Sequence, residues 1–374
     1  KQQDIDESTE ENFEDLTLIW LDSSLYELEH SLQLRIELEQ IINYLKIFSN
    51  CDDCFHYMTS RNKNEKLFFI VSSSFGQRFI PRIQRLEQLI NIYIYNRVKY
   101  SYNDAEWIKQ YKKIHGSFGK VNDLLSKLTD DVKLFSKQQP ISANIFTLDS
   151  TEKSIWDLSK ENVKFMWYQL LIDILLRLPN HSTLLAKADM IELCRLQYKT
   201  NEKQLQLIGI FEKEYNSKSV ISWYTRDCFL YKIINRACRT ENIDVLVKFR
   251  FILADLHQEL NDLYINQSLP RPLTVYRGMT MPADEFEMIQ NNIGGRISIN
   301  TFLSTTEYIQ VAYSFAGDGS MRPEKESVVL IMNIDTRSSK TKLFADIQKY
   351  SFFQDEGEFL LSIETVLQSS LLKK

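Results

Sequence analysis

Cysteine is scarce in this chain, with five among 374 residues, an odd number. So few cysteines do not make a disulfide framework, and a reducing, cytoplasmic compartment is expected. Long apolar runs are also missing. The most apolar helical stretch, 165–178, is interrupted by Asp173 and Arg177 and is shorter than the roughly 20 residues a membrane span needs. The N-terminus lacks a basic-then-apolar signal pattern. Because the sequence opens on Lys1 rather than Met, native flanking sequence is expected. A basic excess is absent too, since 45 Lys and Arg face 50 Asp and Glu for a net charge of −5. The first fifteen residues hold one lysine and seven acids, so the remainder is close to neutral. Neither nucleic acid nor a membrane surface is expected as a partner. Histidines 30, 115, 181 and 257 show no ligand spacing, and no metal is expected. Cys51-Asp52-Asp53-Cys54, with His56 close by, has no second ligand pair and no thioredoxin-like strand before it, so it reads as packing.

Hydrophobic residues make up 44% and charged residues 25%, which is ordinary globular composition. At about 150 residues per domain the length allows two or three domains. Residues 1–14 are acidic and aperiodic and read as a disordered lead-in. Over 15–135 short apolar runs alternate with helical segments. Strand patterns fall at 16–21, 45–48, 66–72, 91–96 and 113–118; helical ones fall at 30–44, 52–60, 79–90, 104–111 and 121–135. That alternation predicts a parallel sheet covered on both faces, of flavodoxin or receiver type. The phosphoacceptor Asp of receivers is replaced by Ser72-Ser73-Ser74, which points to a docking or targeting module. Ser72–Gly76, at a strand end, is a candidate anion site.

Residues 136–153, with Pro140, read as a linker. From 154 to about 270 apolar positions recur at helical spacing, with single helices expected over 220–238 and 243–264. Residues 271–368 are strand-rich, with strands expected at 274–276, 297–303, 328–334, 342–344 and 356–366. The helical lobe and the β core together predict one α+β unit over 154–368, followed by a tail at 369–374.

Three patterns in the last hundred residues carry chemistry. They are Val275-Tyr276-Arg277-Gly278, then Phe302-Leu303-Ser304-Thr305-Thr306, then Glu356-Gly357-Glu358. Each has a bland counterpart. The first is a strand end and turn, the second a capping box with Ser304 as N-cap and Glu307 reaching back, the third the wet face of an edge strand. Taken together, residues two apart on a strand present both carboxylates to one cleft. An arginine fork suits pyrophosphate, and a serine can hold one carboxylate. Such a set suits cleavage of a glycosidic bond in a phosphate-bearing ligand.

With these motifs in this order, residues 271–368 resemble the arginine-specific mono-ADP-ribosyltransferases. Trp223-Tyr224-Thr225, Tyr231, Ile234-Asn235-Arg236-Ala237 and Arg239 resemble that family's helix ahead of the core. Thr306 stands where the family often has Ser. The resemblance implies an α+β fold with a β-sandwich-like core, NAD as co-substrate and no metal. It also implies roles. Arg277 grips the pyrophosphate, Gly278 lets the backbone approach the nicotinamide amide, and Phe315 packs on nicotinamide. Ser304 fixes Glu358, and Thr305 supports the turn. Glu358 stabilises the oxocarbenium ion, while Glu356 holds the acceptor guanidinium and takes its proton. Phe353 contacts the protein substrate or, equally, only packs. The loop 318–325 is placed by the resemblance over NAD, with Arg322 as a further phosphate contact or a solvated residue. A protein presenting arginine is the implied partner, and a docking partner for the N-terminal module is a second. Two alternatives stay open: an NAD glycohydrolase using the same site, and a non-catalytic NAD-binding or interaction protein.

Overall fold

The computed structural model describes residues 12–22, 29–62, 65–96, 107–137, 143–146, 160–177, 183–268, 272–291, 293–319, 322, 325–335, 343–363 and 365–368. Residues 1–11 of the lead-in, 104–106 of an expected helix, most of the linker and the tail at 369–374 lie outside them. The chain divides into two compact units, 1–134 with 193–209, and 135–192 with 210–374.

The first unit is built on five parallel strands, β1 (Leu16–Leu21), β2 (Leu45–Phe48), β3 (Lys66–Ser72), β4 (Leu89–Tyr95) and β5 (Ile114–Phe118), in the order β2-β1-β3-β4-β5. This is the order of doubly wound flavodoxin-like sheets. The nearly continuous apolar runs LTLIWL and LFFIV follow from burial on both faces. Ile19, Leu21, Phe69 and Val71 enter one core with Phe79, Ile80 and Ile83. Leu18, Trp20, Phe68 and Ile70, pointing the opposite way, are equally buried. The helix expected over 79–90 instead runs Ser73–Ile83, directly off β3, and contains Pro81. Gly76 lets it sit close to Trp107, whose ring would lie 3.2 Å from an added Cβ.

This unit also takes in 193–209, which the periodicity assigns to the helical lobe. The reason is a set of buried polar side chains that satisfy one another. Asn43 Nδ2 donates to Glu14 Oε1 at 2.8 Å, and the Tyr198 hydroxyl donates to the same carboxylate. Gln197 Nε2 donates to Asn12 Oδ1 at 2.7 Å, and Asn201 Nδ2 to the Glu39 carbonyl at 2.9 Å. Helical spacing registers apolar positions and is silent on such polar matches.

The second unit has a helical part and two antiparallel sheets. The single helix expected over 220–238 is two, Val220–Thr225 and Phe229–Thr240, with Arg226 and Cys228 extended between them. That over 243–264 is also two, Ile243–Lys248 and Arg250–Asn266. Strands β6 (Ala143–Phe146), β8 (Arg296–Ile299) and β13 (Val366–Gln368) form one sheet, ordered β13-β8-β6. Part of the expected linker is therefore a strand. Strands β7 (Leu273–Pro282), β9 (Leu303–Thr306), β10 (Lys325–Ile334), β11 (Phe344–Asp346) and β12 (Glu358–Leu361) form the other, ordered β10-β7-β9-β12-β11. The strands expected at 297–303 and 356–366 each divide between the two sheets, as chains do at the corners of packed sheets. Leu273, Val275, Ile299, Leu303, Phe359 and Leu361 fill the core between them. Among the described residues no helix is long and apolar enough to cross a membrane.

Candidate active site

The three motifs lie on adjacent strands. Arg277 is on β7, Ser304 on β9 and Glu358 on β12, and these neighbour one another in the sheet. The register sets Glu358 opposite Thr306 and Leu360 opposite Ser304. Ser304 and Glu358 are therefore diagonal neighbours on one sheet face, within reach of each other. Phe359 and Leu361, with the opposite parity, anchor β12 in the core.

Glu358 is 7% exposed, so its carboxylate is nearly out of water. Ser304 Oγ donates to Oε1 at 2.6 Å and Ser351 Oγ donates to Oε2 at 2.8 Å. The Phe353 amide donates to Ser351 Oγ at 3.1 Å and fixes that hydroxyl in turn. Burial raises the Glu358 carboxyl above its ordinary value. The two hydroxyls and Arg277 oppose that shift, and the Glu356 charge adds to it. When ionised, a carboxyl held this way is a negative charge fixed in position by two donors.

Arg277 Nη1 donates to the Ser304 carbonyl at 2.6 Å, which fixes the guanidinium along the sheet. Its Nε is buried and has no hydrogen-bond partner among the described residues. A buried guanidinium N–H left unmet costs free energy unless a ligand supplies an acceptor. A phosphate oxygen is the natural acceptor, so the residues present fit the pyrophosphate that the resemblance implies.

Thr305 and Thr306 brace the turn. Thr305 Oγ1 donates to the Phe359 carbonyl at 3.0 Å. Thr306 Oγ1 donates to the Glu356 carbonyl at 2.6 Å and accepts from the Tyr308 amide at 3.0 Å. The capping-box reading of Ser304 fails, because 303–306 is a strand and the helix Ile309–Ala316 starts later, with Tyr308 at its cap. Phe315 is half-buried on that helix.

The expectation that Glu356 and Glu358 share one strand face is also overturned. Glu356 ends a short helical turn, Gln354–Glu356, and Gly357 has φ +55°, so the backbone between the two carboxylates is not extended. That left-handed conformation suits glycine, and an added Cβ would come within 2.4 Å of the Tyr308 ring. Gly278 is needed for packing before any ligand is considered. A Cβ there would lie 1.6 Å from the Ala312 carbonyl oxygen of the helix seated on β7.

Ser351 was not singled out by sequence reasoning. A lone serine beside two phenylalanines offers no signal, and its role appears only when the turn folds back on β12. Phe352 and Phe353 are 51% and 44% exposed. Of the motif ahead of the core, Tyr224 is fully buried and its hydroxyl donates to Asn235 Oδ1 at 3.1 Å. Arg322 is exposed and pairs with Glu326 at 2.7 Å, which favours the solvated reading. In the first unit, Cys51 is partly exposed and Cys54 is buried with its thiol 3.9 Å from Met58 Sδ, and burial pushes that thiol well up. No group of His, Cys, Asp or Glu able to hold a metal occurs among the described residues.

No family model matches this chain, and no curated protein matches it. Solved structures do show a likeness. The ADP-ribosyltransferase HopU1 of Pseudomonas syringae pv. Tomato DC3000 is 18% identical, with 47% of this chain and 78% of that one covered, at a TM-score of 0.32. The Clostridium limosum C3 exoenzyme is 16% identical over 49% and 87%, also at 0.32. The Vis toxin of Vibrio splendidus, an ADP-ribosyltransferase, is 16% identical over 60% and 83%, at 0.26. At such identities and TM-scores, function has to be read from the chemistry of the site.

Proposed function

We propose that this protein transfers ADP-ribose from NAD to the arginine side chain of a protein acceptor and releases nicotinamide. The observation that carries this reading is the buried Glu358 carboxylate, held by two hydroxyl donors beside a buried Arg277 nitrogen that lacks an acceptor among the described residues. Arg277 takes the pyrophosphate of NAD, and Phe315 packs on nicotinamide. The bond between the ribose C1′ and the nicotinamide nitrogen breaks, with its electron pair leaving on nicotinamide. Glu358, preorganised and desolvated, stabilises the positive charge that develops on the ribose. A guanidinium nitrogen of the acceptor then bonds to C1′ and its proton passes to Glu356. Free guanidinium, with a pKa above about 12, is a poor nucleophile until a carboxylate polarises it. Phe353, exposed beside Glu356, contacts the protein acceptor. The parallel-sheet unit serves as the module that docks the acceptor or a regulator.

Incubation with NAD and agmatine tests the reading. Nicotinamide and ADP-ribosyl-agmatine are the expected products. Free ADP-ribose as the sole sugar product identifies a glycohydrolase, and no turnover identifies a binding protein. The pH profile follows from the same site. Because burial raises the Glu358 carboxyl and the step needs it ionised, the acid limb of nicotinamide release should titrate above the ordinary carboxylate range. An acid limb at or below that range would mean that another group controls the step.

A further inference from the structure

The turn that carries Phe353 and Glu356 is held from two sides. From the sheet, Thr306 Oγ1 donates to the Glu356 carbonyl. From the helical part, the Phe352 amide donates to Thr225 Oγ1 at 2.8 Å, while that hydroxyl donates to the Ile221 carbonyl at 2.9 Å. Beside this bond the guanidinium carbon of Arg226 lies 5.3 Å from the centroid of the Trp223 ring and 5.3 Å from that of Phe352. Both distances are in the range of a cation over an aromatic face. The break between the helices at 226–228 is what places this side chain. Arg226 is extended there, with φ −70° and ψ 140°, and its guanidinium comes within 5.3 Å of both ring centroids. Phe352 meets Phe353 edge to face at 5.3 Å and 84°, so the anchored ring supports the next one.

We infer that Thr225 and Arg226 are positioning residues that fix the turn 352–356, and that they set how the reaction divides between an arginine acceptor and water. The inference rests on the transferase reading above. An acceptor nitrogen must sit about 3–3.5 Å from the reacting carbon in a defined orientation. Water is small and abundant and needs no such placement. A loosened turn displaces Glu356 and Phe353 and so penalises transfer more than hydrolysis. Glu358 keeps its bond from Ser304, which comes from the sheet, and Ser351 is held separately through its amide on the Ile347 carbonyl at 2.8 Å, so cleavage of NAD continues.

The test uses the full chain with Thr225→Val, Arg226→Ala and Arg226→Lys. Two quantities are read, the exchange rate of the Phe352 amide hydrogen and the ratio of ADP-ribosyl-agmatine to free ADP-ribose. Thr225→Val should speed Phe352 exchange about fivefold or more, the worth of one hydrogen bond. Both Thr225→Val and Arg226→Ala should lower the product ratio by about fivefold, with total nicotinamide release changed by less than about twofold. Arg226→Lys, which keeps a cation over the rings, should recover part of the ratio. Equal loss of both products, or an unchanged ratio despite faster exchange, overturns the inference. Unchanged Phe352 exchange overturns the anchoring whatever the protein does with NAD. No nicotinamide release by the wild type overturns the transferase reading itself and the partition claim with it, and the exchange rate still decides the anchor.

Discussion

Glu358→Gln should cut nicotinamide release by about a thousandfold, the scale of losing one preorganised charge at a transition state, and should not destabilise the protein. The second half follows from the sign of the shift. Burial raises the Glu358 carboxyl in the folded state. A carboxyl raised on folding binds protons more readily in the folded state, so its ionised form costs stability. That cost is absent below the unfolded value and grows as the pH rises through the folded one. Glutamine carries no charge and still accepts from Ser304. The melting temperature of the variant at neutral pH should therefore equal or exceed that of the wild type, and the gap should close as the pH falls below the ordinary carboxylate range. A variant that is inactive because it melts several degrees lower would make Glu358 a structural residue.

Gly278→Ala should destabilise the second unit by about 3 kcal/mol or more, at the upper end of overpacking effects. The added Cβ would meet the Ala312 carbonyl oxygen at 1.6 Å, the Ala312 carbonyl carbon at 2.6 Å and the Ala316 amide nitrogen at 2.8 Å. All three are main-chain atoms of one helix, so no side chain can turn aside to make room. The helix 309–316 must shift, and Phe315 shifts with it. A denaturant titration of the variant should show a large drop in midpoint. A normal midpoint with lost NAD binding would instead support the reading in which Gly278 only makes room for the nicotinamide.

The order of the site was legible because its parts sit on short, well-patterned segments. Val275-Tyr276-Arg277 and Phe359-Leu360-Leu361 show strand character without context, and their succession along the chain matches neighbouring strands in the sheet. The details that failed depend on what crosses between elements. Alternation predicts that Glu356 and Glu358 share a face only if Gly357 is extended, and its left-handed backbone removes that premise. Periodicity also runs unbroken through Thr225-Arg226-Asp227, where the helix stops. Thr225, at that end, bonds instead to the Phe352 amide, more than 120 residues away in sequence, a contact that no local pattern carries. Ser351 is invisible for the same reason, since its partner is fixed by a fold-back. The parallel sheet was legible from runs such as LTLIWL. The segment 193–209 was not, because buried pairs such as Asn201 with the Glu39 carbonyl leave no periodic mark.

The central claim is that one carboxylate breaks the bond to nicotinamide and the other passes the sugar to an arginine. It is tested most directly by following nicotinamide release and agmatine modification together, with labelled NAD, in the wild type and in Glu356→Gln. The account predicts that the wild type modifies agmatine, and that Glu356→Gln goes on releasing nicotinamide with free ADP-ribose as its product and no labelled agmatine. Loss of both activities together, or full transfer by the variant, would contradict it.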